Sequence, residues 1–199
     1  MNFHVTRSRD GSPWVLCLDL QRDLAPQRAT AEGRRQIVTC QRFLRLARAA
    51  GWPLVHSLQR SCDPAATPTP IEGLEPRSFE PVFIRSGQSA FSHRRLNEFA
   101  ESERGCELIL VAVTIGPACL ATAFDAHDRG LHVILAEDTL AACAFGPFAS
   151  ATVRGVLLGA AGPFVRRTTT FELLHNAART GQPAAANDII GESDFHERP

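Results

Sequence analysis

Apolar and polar positions along this chain alternate between two kinds of segment, short continuous apolar runs and longer stretches with helical spacing. Short runs of that kind suit buried strands, whereas a repeat near 3.6 residues marks a helix with one buried face. Trp14 to Leu18 reads as the first strand, Ala31 to Ala50 as a helix stopped by Gly51, and Pro53 to Leu58 as the second strand. Val82 to Arg85 forms a third strand, Leu96 to Glu103 a helix, and Leu108 to Val113 a fourth strand. A helix to Arg129 follows, stopped by Gly130, and Leu131 to Ala136 is the fifth strand. Ser150 to Gly159 reads as a helix, Val165 to Thr170 as a short last strand, and Phe171 to Ala178 as a closing helix. Strands alternating with helices predict an α/β fold with a mainly parallel sheet covered on both faces.

Two segments fall outside that rhythm. Ser61 to Pro81 is a long connection in which Pro64, Pro68, Pro70 and Pro76 discourage regular structure. Connections of this length in compact domains are usually functional or mobile. Residues 181–199 carry few apolar side chains beyond Ile189, Ile190 and Phe195, so the expectation is one domain over 1–180 followed by a loosely ordered tail.

Composition narrows the chemistry. With 199 residues the chain can bury a full core, and a formal net charge of 0 with pI near 7.0 marks neither a nucleic-acid binder nor a protein of anionic membranes. The arginines between Arg34 and Arg48 share a predicted helix with Ile37, Phe43, Leu44 and Leu46 and read as its solvated face. No apolar run approaches the roughly 20 residues of a membrane span. Six cysteines show neither a C-x-x-C pair nor metal-ligand spacing, and the amino-terminal stretch lacks a signal peptide's apolar core. These features lead us to expect reduced thiols in a cytoplasmic protein with no metal and no cofactor. All 21 residues counted as Lys+Arg are arginine, so no lysine is available to catalysis anywhere in the chain.

The most specific segment is VAVTIGPACLATAFDA, Val111 to Ala126, where an apolar strand is broken by Gly116-Pro117 and runs into a helix. Proline at a first helical position has no N–H to leave unpaired. In a parallel sheet, ligands gather at the carboxyl ends of strands, and three distant segments deliver polar groups to that edge. Asp19 ends the first strand, Arg85 ends the third, and Ala118 with Cys119 follows the fourth.

These segments resemble the isochorismatase-like (cysteine hydrolase) family. Its signature at the turn has the form C-V-x-x-T-x-x-D-A, and Thr122, Asp125 and Ala126 set the register. The family's nucleophilic cysteine position is then occupied by Ala118, and Cys119 takes the neighbouring apolar position. VLCLDLQ, with Asp19 and Gln21, matches the family's first-strand aspartate, and PVFIRSGQSAF matches K-x-x-x-S-x-F with Arg85 in place of the lysine before Ser89 and Phe91. The resemblance spans residues 12 to 175 and implies a three-layer α/β/α, Rossmann-like fold and a homo-oligomer. In the family's hydrolases an aspartate takes the thiol proton, the thiolate attacks a carbonyl or nitrile carbon, and the lysine stabilises charge. Backbone amides, here those of Thr114 and Ala118, hold the oxyanion.

Two of those three groups are replaced here, which leaves several readings of the site. Adjacent residues at a helix start diverge by about 100°, so Cys119 reads as core packing rather than a substitute nucleophile. A third possibility keeps thiol catalysis through a remodelled turn. Arg85 does not exchange protons in turnover and either pairs with Asp19 or clamps an anionic ligand. Gln21, His56, Ser89, Phe91 and Thr114 are candidate substrate-binding residues. Asp63 is the only acidic residue in its neighbourhood before Glu72, so the metal cluster of the family's nicotinamidase branch is absent. The resemblance also supplies a route without a thiol, because the isochorismatase branch uses its aspartate as a general acid on an enol ether. The chain is therefore expected to be either a non-catalytic, small-ligand-binding relative or a hydrolase of small anionic substrates using Asp19 as acid or base.

Overall fold

A computed structural model describes residues 12–25, 29–61, 63 and 65–179. Its centre is one six-stranded sheet of order β3-β2-β1-β4-β5-β6 in which every pairing is parallel. The strands are β1 (Trp14–Leu18), β2 (Leu54–Gln59), β3 (Val82–Arg85), β4 (Glu107–Ala112), β5 (His132–Ala136) and β6 (Arg166–Thr168). Helices α1 (Ala31–Ala49), α2 (Arg94–Ser102), α3 (Pro117–Asp128), α4 (Ser150–Ala161) and α5 (Thr170–Arg179) cover the two faces.

Successive strand residues point to opposite faces, and β1 divides its side chains accordingly. Trp14, Leu16 and Leu18 enter a core built with Leu96 of α2, Ala123 of α3 and Leu158 of α4. Val15 and Cys17 enter the opposite core with Phe43 and Leu44 of α1 and Leu173 of α5. Both faces of β1 are covered, and all five of its residues are buried.

Local signals set the helix ends. Thr30 caps α1 by accepting a 2.9 Å hydrogen bond from the Gly33 amide, and Gly51 takes φ +72° just beyond its end. Pro117 opens α3, and Gly130 at φ +77° follows its last turn. Two boundaries differ from the sequence pattern with consequences. Strand β2 continues to Gln59, because parallel pairing to β3 aligns Gln59 with Arg85, so Gln59 and then Arg60 stand at its carboxyl end. Helix α2 starts at Arg94, with His93 as its N-cap residue.

Among the described residues the long connection after β2 holds no helix or strand, yet it is not loose. It folds back against the segment leaving β1: the Ile71 amide donates to Leu20 and the Arg22 amide to Thr69, both at 2.9 Å. Ile71 and Leu74 are buried with the α1 core. The tail 181–199 lies outside the described residues. No helix among them is long and apolar enough to cross a membrane.

Candidate functional site

The sheet order places β1 beside β4, with the chain turning one way to β2 and β3 and the other to β5 and β6. A crevice opens at such a switch point, outside the carboxyl ends of the strands. Here a cavity of about 380 Å³ lies there, lined by Leu18, Asp19, Ala112, Thr114, Ala118 and Cys119 together with residues that follow β1, β2 and β3. That volume suits a small molecule.

Asp19 is the first residue beyond β1 and the only described non-glycine residue at positive φ, +50°. Aspartate tolerates this left-handed region better than most residues. Its carboxylate meets the Arg85 guanidinium as a two-pronged pair, Nη1 to Oδ1 at 2.7 Å and Nη2 to Oδ2 at 2.6 Å. Arg85 is also held by the Gln88 carbonyl at 3.2 Å and the Ser57 hydroxyl at 3.2 Å, and its side chain is wholly buried. Asp19 retains 14% exposure, towards the cavity it lines.

A third donor reaches Asp19. The Gln59 amide donates to Asp19 Oδ1 at 3.0 Å and to Gln21 Oε1 at 2.7 Å, while Gln21 Nε2 returns a 3.1 Å bond to the Gln59 carbonyl. Gln21 is thus fully buried as a clamp extending the β1–β2 contact, and it is not among the cavity's lining residues.

Helix α3 begins at the cavity wall. Ala118 presents a methyl group there. Cys119 lines the same wall but is 2% exposed and packs into the core. Burial first, and then the negative charge of Asp19, push its thiol up to about 12. A thiol that keeps its proton is not a nucleophile at neutral pH.

The remaining candidates divide by the face on which they fall. Thr114 lines the cavity. Ser89 caps a short 3-10 turn (Ala90–Ser92), accepting from the Phe91 amide at 3.1 Å, and the Ala90 amide donates to Thr122 Oγ1 at 3.0 Å. Thr122 of the signature therefore ties α3 to the segment after β3. Phe91 is buried in the core with the Arg129 guanidinium 5.0 Å from its ring centre, and does not line the cavity.

His56 departs furthest from its expected place. It pairs with Cys17 across β1–β2, which puts it on the α1 face, away from the cavity. Its Nε2 lies 2.8 Å from Glu80, whose carboxylate also accepts Arg48 Nε at 2.7 Å, Arg48 Nη2 at 2.8 Å and the Arg77 amide at 3.0 Å. Burial would push Glu80 up, but these hydrogen bonds and the Arg48 charge outweigh it and bring it down to about 2. Glu80 stays ionised and can only accept, so His56 Nε2 carries the hydrogen between them. This cluster fastens the end of the long connection to α1 and β2.

The cavity also receives Asp23, Gln59, Arg60, Ser61 and Gln88, none of them candidates from the sequence. The signal was available for Gln59 and Arg60, which sit at the carboxyl end of β2 once that strand is taken to its full length. Among the described residues no group of three or more His, Cys, Asp or Glu side chains is placed to hold a metal ion.

The family model for the isochorismatase domain matches residues 13–152. Solved structures share the fold. An isochorismatase from Pseudomonas putida is 22% identical at a TM-score of 0.71, covering 83% of this chain and 94% of that one. A cysteine hydrolase from Pseudomonas syringae pv. phaseolicola is 20% identical at 0.70, with 84% and 92% covered. An isochorismatase-like hydrolase from Alkaliphilus metalliredigens is 19% identical at 0.69, with 83% and 99% covered. No curated protein matches the chain at a significant level. Matched by the domain model over most of its length and built on the same parallel sheet, the chain belongs to the isochorismatase family.

Proposed function

We propose that this protein has given up thiol hydrolysis and binds a small molecule in the cavity at the carboxyl ends of β1, β2 and β4. The observation that carries the reading is the Asp19–Arg85 pair beside the Ala118 methyl group. The nucleophile is absent, and the residue in the base position is engaged elsewhere. Three donors occupy most of the roughly four acceptor positions of the Asp19 carboxylate. The residue in the lysine position is buried and holds Asp19 instead of facing a ligand.

The test uses pure protein. Incubation with small amides, nitriles and enol ethers gives no turnover, while thermal-shift screening against small carboxylates, amino acids and amides finds compounds that raise Tm in the wild type. The same compounds leave Ala118→Phe, whose ring projects from the wall into the cavity, unshifted. Turnover that disappears in Asp19→Asn overturns this reading.

That overturning result would instead support a hydrolase with Asp19 as general acid or base and no thiol. The partial exposure of Asp19 towards the cavity favours this second reading. Reduced cysteines in the cytoplasm, assembly into a homo-oligomer and the absence of nucleic-acid or membrane partners belong to the same proposal, and light scattering after gel filtration tests the assembly.

A further inference from the structure

The strongest ion pair at the cavity leaves almost no charge to offer a ligand. Arg85 commits four N–H bonds, two to Asp19, one to Ser57 and one to the Gln88 carbonyl, out of the five a guanidinium possesses. Its charge and that of Asp19 cancel at contact distance.

Two other charged side chains line the same space. Asp23 lies on the segment leaving β1, and Arg60 follows the last residue of β2. The Arg60 amide donates to the Arg85 carbonyl at 2.7 Å, which places it directly beside the ion-paired end of β3. Among the described residues neither side chain makes a hydrogen bond or an ion pair, including one with the other. Among the described residues the cavity therefore carries one positive and one negative group without a partner, on separate segments, with apolar Leu18 and Ala118 among its other lining residues.

We infer that the cavity takes a small zwitterion, its carboxylate received by Arg60 and its ammonium by Asp23. The inference rests on the ligand-binding reading above and names the ligand's class. An uncharged ligand would pair neither group, and a simple carboxylate would satisfy Arg60 while bringing its negative charge near Asp23. Only a ligand that carries both charges answers both. A guanidinium also receives a carboxylate with two parallel bonds, which orients it.

Calorimetric titration and thermal shift with β-alanine and γ-aminobutyrate, against propionate and propylamine, test the inference. The ω-amino acids are expected to bind at least about tenfold more tightly than either single-charge probe. Arg60→Gln abolishes their binding, and Asp23→Asn reduces it to the level of propionate. Both side chains are exposed, so these variants keep the fold, and an unchanged unfolding midpoint without ligand verifies it. Equal binding of propionate and the ω-amino acids, undiminished binding in either variant, or no binding by any probe overturns the inference. The Ala118→Phe arm separates the two levels. Probes that bind the wild type but not Ala118→Phe, with no preference for the zwitterions, sink the ligand class and leave the cavity reading standing. Zwitterion binding that persists in Ala118→Phe sinks the cavity reading itself.

Discussion

Asp19 and Arg85, separated by 66 residues, satisfy each other: both carboxylate oxygens accept from the two terminal guanidinium nitrogens, at 2.7 and 2.6 Å. A pair this buried is costly to break from one side, because the survivor keeps its charge and loses its partner. Arg85→Met is expected to destabilise the fold by about 3–5 kcal/mol in urea denaturation. The double variant Asp19→Asn with Arg85→Met recovers much of that loss, since it removes both charges and asparagine keeps the left-handed backbone at residue 19. A single variant as stable as wild type would show that the pair contributes nothing.

The buried thiols make stability fall at high pH. Burial pushes both Cys40 and Cys119 from 9.0 up to about 12. Above pH 9.0 the unfolded chain releases these protons while the folded chain holds them, so each thiol costs about 1.4 kcal/mol of stability per pH unit until about 12. Denaturation midpoints measured across that window decline more gently in Cys40→Ala and Cys119→Ala than in wild type.

Acid acts through Glu80. Its folded value near 2 lies below its ordinary 4.5, so its contribution is complete above 4.5 and is lost as pH falls towards 2. Glu80→Gln begins less stable at neutral pH and shows a flatter loss between those values, read from circular dichroism during acid titration. Identical acid profiles for variant and wild type would count against the Arg48–Glu80–His56 cluster as an anchor.

Moving the thiol by one residue is expected to change its chemistry. Ala118→Cys puts a sulfur on the cavity wall with Asp19, whereas Cys119 stays in the core. Iodoacetamide near neutral pH then labels the variant at the substituted position and leaves Cys119 unmodified, as fragment ions of the peptide that carries both distinguish. Rapid labelling of Cys119 in the folded wild type would restore the case for a remodelled catalytic turn.

The layered fold was legible in the chain because each buried strand is a near-continuous apolar run and each helix carries its own stop signal, as at Gly51 and Gly130. Asp19, Ala118 and Cys119 could be assigned to one edge of the sheet because parallel strands bring their carboxyl ends together whatever their separation in sequence. His56 could not be placed the same way. Side chains alternate every residue in a strand, but β2 is buried on both faces and its apolar run does not tell one face from the other, so only pairing with Cys17 of β1 puts His56 on the α1 side. Gln59 and Arg60 were missed because β2 runs one residue beyond its apolar run, which ends at Leu58. Gln21 and Phe91 were expected to bind substrate, yet the structure uses one to bind the Gln59 backbone and the other to fill the core.

Sequence by itself determined what this protein lacks: no lysine stands anywhere in it, and residue 118, just inside the turn, is an alanine without a reactive side-chain atom. Composition and register are properties of the chain, and folding cannot add a missing atom. Tertiary structure decided where the remaining charges go. Arg85 could have faced a ligand or Asp19, and only the packing of β3 beside β2, which brings its side chain to the carboxylate and away from solvent, settled that partner.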